Sequence, residues 1–90
     1  MRGPSIDWGV IFLKPGEFMA DKAHGHLELD ETFYFIEGDG IIIINDIEHD
    51  APEGSAFLLE PKEMHNIKNP SDKPIKIVFI KSAYKPDDKI

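Results

Sequence analysis

Three histidines and one glutamate occupy positions that suit metal chemistry. His24 and His26 are two residues apart, and in a β-strand that spacing points both imidazoles to the same face, close enough to share one ion. Glu31 follows His26 by five residues, so a straight strand would turn its carboxylate away and the residues between them must contain a turn or a bulge. His65 joins this set if the sheet curls back on itself. Two histidines alone are also typical of an exposed loop.

The elements that position these residues are predicted to be strands. No window has the three-and-four spacing of apolar residues that a helix requires. Short apolar or β-branched runs occur instead, bounded by Gly, Pro, Asn and Asp: residues 8–13, 32–36, 41–44, 56–59 and 75–80, with a polar strand at 48–50. Such spacing predicts an all-β sandwich or barrel. Because Glu31, Phe33 and Phe35 share one strand parity, we expect the carboxylate at the mouth of an aromatic-lined interior.

Composition limits the partners of this domain. A single domain over residues 1–90 has a small core, and the absence of cysteine leaves a metal or a second subunit to supplement it. The net charge is −7 and there is one arginine, which argues against nucleic acid. Between Glu17 and Glu63, 13 acidic side chains accompany only two lysines, which favours a cation.

The chain shows no membrane or export signal. No apolar run approaches the roughly 18 residues of a membrane-spanning helix. An acid, Asp7, precedes the first apolar run, unlike in a signal peptide. We therefore expect no membrane association and a cytoplasmic location.

Two neighbouring strands are apolar on both faces. Residues 33–36 and 41–44 show no polar alternation, so both sides of this predicted hairpin require burial. One interpretation covers the outer side with the chain's own termini. We favour the other, in which a second copy covers it, and therefore expect a homodimer.

The spacing around the histidines resembles the two motifs of the cupin superfamily, G-x5-H-x-H-x(3,4)-E-x6-G and G-x5-P-x-G-x2-H-x3-N. Seven positions match in type and spacing: His24, His26, Glu31 and Gly38 in the first motif, over about residues 16–38, and Gly54, His65 and Asn69 in the second, over about residues 54–69. Departures occur at Gly16, which is separated from His24 by seven intervening residues rather than five, and at Glu60 and Lys62, which replace the proline and the second glycine. They affect the expected backbone shape before His65 and leave the histidines and the glutamate intact.

The resemblance implies a cupin-like double-stranded β-helix, a jelly-roll barrel of two packed antiparallel sheets. It also implies that His24, His26, Glu31 and His65 converge on one divalent metal. Three imidazoles and a carboxylate suit Mn, Fe, Ni, Co, Cu or Zn. The expected pocket lining consists of Phe33, Phe35, Phe57 and Met64, although most aromatic residues in such a chain are ordinary core.

Two functions remain open at this point. The first is a small metal-dependent enzyme, an oxidoreductase of the dioxygenase type or an isomerase, acting on a small organic or sugar-like molecule with Glu31 as a possible acid or base. The second is a non-catalytic module that binds or senses a small ligand and holds a structural metal. His49 is predicted to be a solvated residue rather than a ligand, and Asn69 to hold a turn.

Overall fold

The computed structural model describes residues 7–23, 25 and 30–81. Seven strands occur in these ranges: β1 Asp7–Leu13, β2 Glu31–Glu37, β3 Gly40–Ile44, β4 Ile47–Ala51, β5 Ala56–Leu59, β6 His65–Lys68 and β7 Ile75–Lys81. Each strand predicted from the sequence is present, with bounds that differ by at most one residue. Within the described ranges, no helix has the length and apolar character that crossing a membrane requires.

The strands form two antiparallel sheets. The larger sheet has the order β1-β7-β2-β5 and the smaller one the order β4-β3-β6. The segment around Phe18 and Met19 runs along the free side of β6, where the Met19 N–H donates to the Ile67 carbonyl over 2.7 Å. The prediction of an all-β fold with two packed antiparallel sheets is therefore confirmed.

The predicted hairpin of residues 33–36 and 41–44 is wrong. These residues belong to β2 and β3, which follow one another in the chain but lie in different sheets. The corner between them is at Gly38, which has a φ of +83° and whose missing Cβ would lie 2.7 Å from the side chain of Ile75. Only glycine fits that conformation and that space. At this residue the chain crosses between the sheets instead of folding back on β2.

The hairpin that does occur joins β3 to β4. Asn45 and Asp46 have φ values of +49° and +68°, as a two-residue type I′ turn requires. Asparagine and aspartate tolerate this left-handed conformation better than other non-glycine residues, so the turn follows from the local sequence.

The core lies between the inner faces of the two sheets. Its buried hydrophobic residues are Leu13, Phe33, Phe35, Ile42, Ala51, Leu59, Ile67, Ile75 and Ile77. In β2 the odd-numbered residues Glu31, Phe33 and Phe35 are all buried, as their shared parity predicts. The inner face of β2 thus begins with a carboxylate and continues with two aromatic rings.

Asn69 holds together the end of the barrel that lies away from Glu31. Its side-chain Nδ2 donates to the carbonyls of Leu13 and Lys73 over 3.1 and 2.6 Å. Its Oδ1 accepts from the backbone N–H of Ser71 over 3.0 Å and from the Ser71 hydroxyl over 2.7 Å. The prediction that Asn69 holds a turn is confirmed, and the same side chain also fixes the end of β1.

Replacing Asn69 with alanine is expected to lower the free energy of unfolding by about 2–4 kcal/mol, because the buried Leu13 carbonyl loses a donor. Urea denaturation followed by circular dichroism measures this change. Ser71→Ala is the matched control and should lower the free energy of unfolding by about 1 kcal/mol. Equal losses in the two variants would contradict this role of Asn69.

Candidate functional site

A carboxylate and an imidazole meet between the two sheets. Glu31 begins β2 in the larger sheet, and His65 begins β6 in the smaller one. Glu31 Oε1 lies 3.3 Å from His65 Nε2, and the two side chains are only 5% and 1% exposed. The structure therefore brings two of the four expected metal ligands to one point in the interior.

The His65 ring is held in a defined orientation. Its Nδ1 lies 3.3 Å from the carbonyl oxygen of Glu63, and its ring centroid lies 5.3 Å from that of Phe33. Because a carbonyl only accepts, Nδ1 is the donor in this hydrogen bond, and Nε2 faces the carboxylate of Glu31. A histidine that ligates a metal through one ring nitrogen commonly donates from the other to a carbonyl in this way.

The residues before His65 form a turn whose sequence departs from the motif. Lys62 has a φ of +72°, the left-handed conformation that the glycine of the family pattern adopts easily. The Glu60 N–H donates to the Glu63 carboxylate over 2.6 Å and closes the turn. Lys62 thus adopts a backbone conformation that a glycine at this position would adopt with less strain.

Met64 connects this turn to the β3–β4 hairpin. The Met64 N–H donates to Asn45 Oδ1 over 2.9 Å, and the Asn45 N–H donates to the Met64 carbonyl over 2.7 Å. The hairpin turn therefore fixes the backbone at the residue directly before His65.

Gly25 lies against the same part of the chain. It is buried, and a Cβ placed on it would lie 2.9 Å from the Glu63 carbonyl oxygen and 3.1 Å from Met64 Sδ. The glycine between the two motif histidines thus contacts the residue whose carbonyl orients the His65 ring. His24 and His26 lie outside the described residues. So do residues 27–29 of the predicted turn or bulge, because the description resumes at Asp30.

The four-ligand set remains a prediction. In the described part of the chain, no three His, Asp or Glu side chains come together as a possible metal site. The pair that is described does fit a transition metal, because a carboxylate oxygen and an imidazole nitrogen are both donors that such ions accept.

The expected lining residues lie at two depths. Phe33 is buried beside His65, and Phe35 is fully buried one row deeper, where its ring meets that of Phe57 edge-on at 6.0 Å. Phe57 and Met64 are half-buried. Phe33 therefore borders the Glu31–His65 contact, whereas Phe35 belongs to the core.

Lys81 is a register neighbour of Glu31 that the sequence analysis did not single out. It is paired directly with Glu31 in the β2–β7 register and has the same strand parity as the buried Ile75 and Ile77, so it lies on the inner face. Its Nζ lies 5.6 Å from the ring centroid of Phe79. The parity of β7 was readable from the sequence, but the pairing of β7 with β2 was not.

Other candidate features lie apart from this contact. His49 is exposed on β4, as expected for a solvated residue. Two surface cavities of about 390 and 490 Å³ occur near Asp39 and Ser71, beyond the last residues of β2. Neither cavity is lined by Glu31 or His65.

Comparison with known proteins identifies the family. The family described as a cupin domain matches residues 9–81, so the chain belongs to the cupin family. The fold is similar to that of an uncharacterized conserved protein with a double-stranded β-helix domain from Klebsiella pneumoniae. The TM-score is 0.89 and the identity is 19%, with 100% of this chain and 76% of the other chain covered.

Two further relatives are longer than this chain. A cupin-superfamily sugar phosphate isomerase from Silicibacter pomeroyi has a TM-score of 0.82 and 21% identity, with 91% of this chain and 52% of that chain covered. An uncharacterized protein of Methanocaldococcus jannaschii is 29% identical over 55 residues, which are 61% of this chain and 44% of the relative. The chain thus spans about half the length of these two proteins.

Restoring the glycine of the motif is expected to stabilise the protein. Lys62→Gly removes the strain of a left-handed non-glycine residue, about 1–2 kcal/mol, and increases the entropy of the unfolded chain. The net expectation is a gain of about 0.5–1 kcal/mol, seen as a higher melting temperature. Lys73→Gly, at a described position without positive φ, should be neutral or destabilising. A lower melting temperature for Lys62→Gly would contradict the strain at this turn.

Proposed function

We propose that the protein binds one divalent transition-metal ion through Glu31 and His65, with His24 and His26 as the remaining ligands. The observation that carries this proposal is the buried 3.3 Å approach of Glu31 Oε1 to His65 Nε2. The Nδ1 contact with the Glu63 carbonyl orients the ring for this role. The metal is one of Mn, Fe, Ni, Co, Cu or Zn, because the donor set is nitrogen and carboxylate oxygen. A cytoplasmic location is part of the same proposal.

We further propose that the protein is a small metal-dependent enzyme of the dioxygenase or isomerase type. A bound ion of this kind supplies Lewis-acid or oxygen-activating chemistry. Glu31 can accept or return a proton at a carboxylate oxygen, and Phe33 excludes water beside it. The sugar phosphate isomerase of Silicibacter pomeroyi has a similar fold and is 21% identical to this chain, which supports the isomerase alternative.

Lys81 favours a ligand that carries a negative charge. Its position opposite Glu31 places an ammonium group on the same inner face as the proposed metal ligands. An anionic group on a small acid or sugar-like molecule would contact Lys81 while its oxygen atoms approach Glu31 and His65. A lysine acts here as a point charge, so it does not require the bidentate geometry that an arginine provides.

The second candidate is a non-catalytic module that binds or senses a small ligand. It is favoured because the acid–base side chain that lies next to Glu31, the imidazole of His65, is itself a proposed metal ligand. In this case the metal is structural and supplements the core of a small domain.

Metal binding is tested through the two described ligands. Glu31→Gln and His65→Ala are each expected to weaken metal affinity by roughly 100-fold or more, because each removes a donor. Chelation should lower the melting temperature of the wild-type protein, since a metal bound only to the folded state stabilises it. Elemental analysis, calorimetric titration and thermal melts measure these effects.

The matched control is His49→Ala, which removes an exposed histidine and should leave both metal affinity and melting temperature unchanged. Wild-type protein that binds no transition metal and melts identically with and without chelator would contradict the proposal. Equal loss of metal in His49→Ala and His65→Ala would indicate non-specific surface binding instead.

We expect Lys81 to favour negatively charged ligands over neutral ones. In metal-loaded protein, Lys81→Gln should weaken binding of small carboxylates and keto acids by about tenfold and leave neutral diols unaffected. Lys76→Gln is the matched control, because Lys76 lies on the same strand and faces outward. Equal effects of the two variants would contradict the role of Lys81.

Assays with a panel of small molecules separate the two candidate functions. Turnover or oxygen uptake by Fe- or Mn-loaded protein with diols, catechols or keto acids indicates the enzyme. Tight binding of one compound without turnover indicates the module.

A further inference from the structure

Asn66 is a buried polar residue to which the proposed function gives no role. It directly follows His65 in β6 and is only 5% exposed. Successive residues of a strand point to opposite faces, so the Asn66 side chain lies on the face opposite to those of His65 and Ile67. The Asn66 amide therefore points away from the ion that we propose at His65, and its burial requires another explanation.

The side chain of Asn66 binds both backbone groups of Ala20. Its Oδ1 accepts from the Ala20 N–H over 3.1 Å, and its Nδ2 donates to the Ala20 carbonyl over 3.0 Å. The same Oδ1 accepts from the Ile67 N–H over 2.9 Å. An amide that accepts from an N–H and donates to a carbonyl reproduces the two hydrogen bonds that facing residues of an antiparallel pair exchange. Asn66 thus joins two parts of the chain that are 46 residues apart.

The segment that ends at Ala20 leads toward the candidate site. It runs antiparallel to β6, and the Met19 N–H donates to the Ile67 carbonyl over 2.7 Å. One residue further along, the contact passes from the backbone of β6 to the side chain of Asn66. Because the two segments run in opposite directions, the residue of β6 that comes next is His65.

A second contact holds the chain on the other side of His65. A Cβ placed on the buried Gly25 would lie 2.9 Å from the Glu63 carbonyl oxygen and 3.1 Å from Met64 Sδ. The same carbonyl oxygen lies 3.3 Å from His65 Nδ1. The chain between Ala20 and Gly25 is therefore held at both ends by residues that flank His65 in the sequence. The two histidines of the first motif are the direct neighbours of Gly25 in the chain.

We propose that Asn66 is a positioning residue of the metal site. By holding Ala20, it fixes the path of the chain toward His24 and His26, so that their imidazoles reach the ion. Without these hydrogen bonds the loop from Ala20 to Gly25 would sample more conformations, and ordering it would cost part of the free energy of metal binding. The inference rests on the proposed metal binding and adds to it a residue that does not touch the ion.

Titration with Co²⁺ tests this role. Asn66→Ala should weaken the affinity for Co²⁺ by about 10–100-fold, as commonly occurs when a residue that orients metal ligands is lost. The visible d–d spectrum of bound Co²⁺ should also change, because it depends on the number and the type of the donor atoms. Electron paramagnetic resonance of the Cu²⁺ form should show fewer coupled nitrogen atoms than in the wild-type protein.

Leu13→Ala is the matched control, because it destabilises the fold at the other end of the barrel. Leu13 is buried and pairs with Ile75, the first residue of β7, whereas Glu31 pairs with Lys81, the last one. The control should lower the melting temperature, as Asn66→Ala does, but should leave the affinity and the spectrum of Co²⁺ unchanged.

Asn66→Asp provides a milder change. It keeps the oxygen that accepts from the Ala20 N–H and loses the donor to the Ala20 carbonyl, so it should give an intermediate loss of affinity. It carries the test if Asn66→Ala does not fold.

The outcomes separate this inference from the proposed function. A wild-type chain that binds no Co²⁺ would overturn both. Wild-type affinity and spectrum in the folded Asn66 variants would overturn the role of Asn66 alone. An equal loss of affinity in Leu13→Ala would also overturn it, because the effect would then follow from general destabilisation.

Discussion

The buried contact between Glu31 and His65 joins the two sheets of the barrel. Removing a carboxylate from water costs several kcal/mol, and a small domain has a total stability of only about 5–15 kcal/mol. Such a group persists in the interior only when its surroundings compensate for the lost hydration. The proposed cation, held by Glu31 and His65, would provide this compensation. The surrounding structure must therefore hold the two side chains close together.

Several independent interactions hold Glu31 and His65 in place. The Glu63 carbonyl orients the imidazole, and Asn45 holds the backbone of Met64. Gly25, which has no side chain, leaves room for Glu63 and Met64. At the other end of the barrel, Asn69 connects β1 to the turn before β7. The site thus depends on turns and loops at defined distances from β6, which explains why motif spacing is informative in this fold.

The strands could be predicted from the sequence because their signals are local. Alternation and turn residues predicted the bounds of every strand except β6, and parity predicted the burial of Glu31, Phe33 and Phe35. Pairing could not be predicted in the same way. The apolar character of residues 33–36 and 41–44 does not reveal that the chain changes sheets at Gly38, because that depends on contact with Ile75, far along the chain.

The candidate site could be predicted to a similar extent. Motif spacing indicated that Glu31 and His65 converge, which the structure shows, whereas His24 and His26 lie outside the described residues. The glycine missing at Lys62 suggested a different turn, but the backbone accepts a strained lysine there. Lys81 was not found because its place beside Glu31 depends on a register between the second and the last strand, about 50 residues apart in the chain.

The alternation of β2 has a further consequence for how the protein responds to its surroundings. Glu31 and Phe33 point into the barrel, while Thr32 and Tyr34 lie on the outer side, one peptide unit away. A change in the twist of β2 therefore alters both surfaces together. If the affinity for a ligand inside the barrel differs between the free and the associated chain, thermodynamic reciprocity requires that the ligand change the association constant by the same factor.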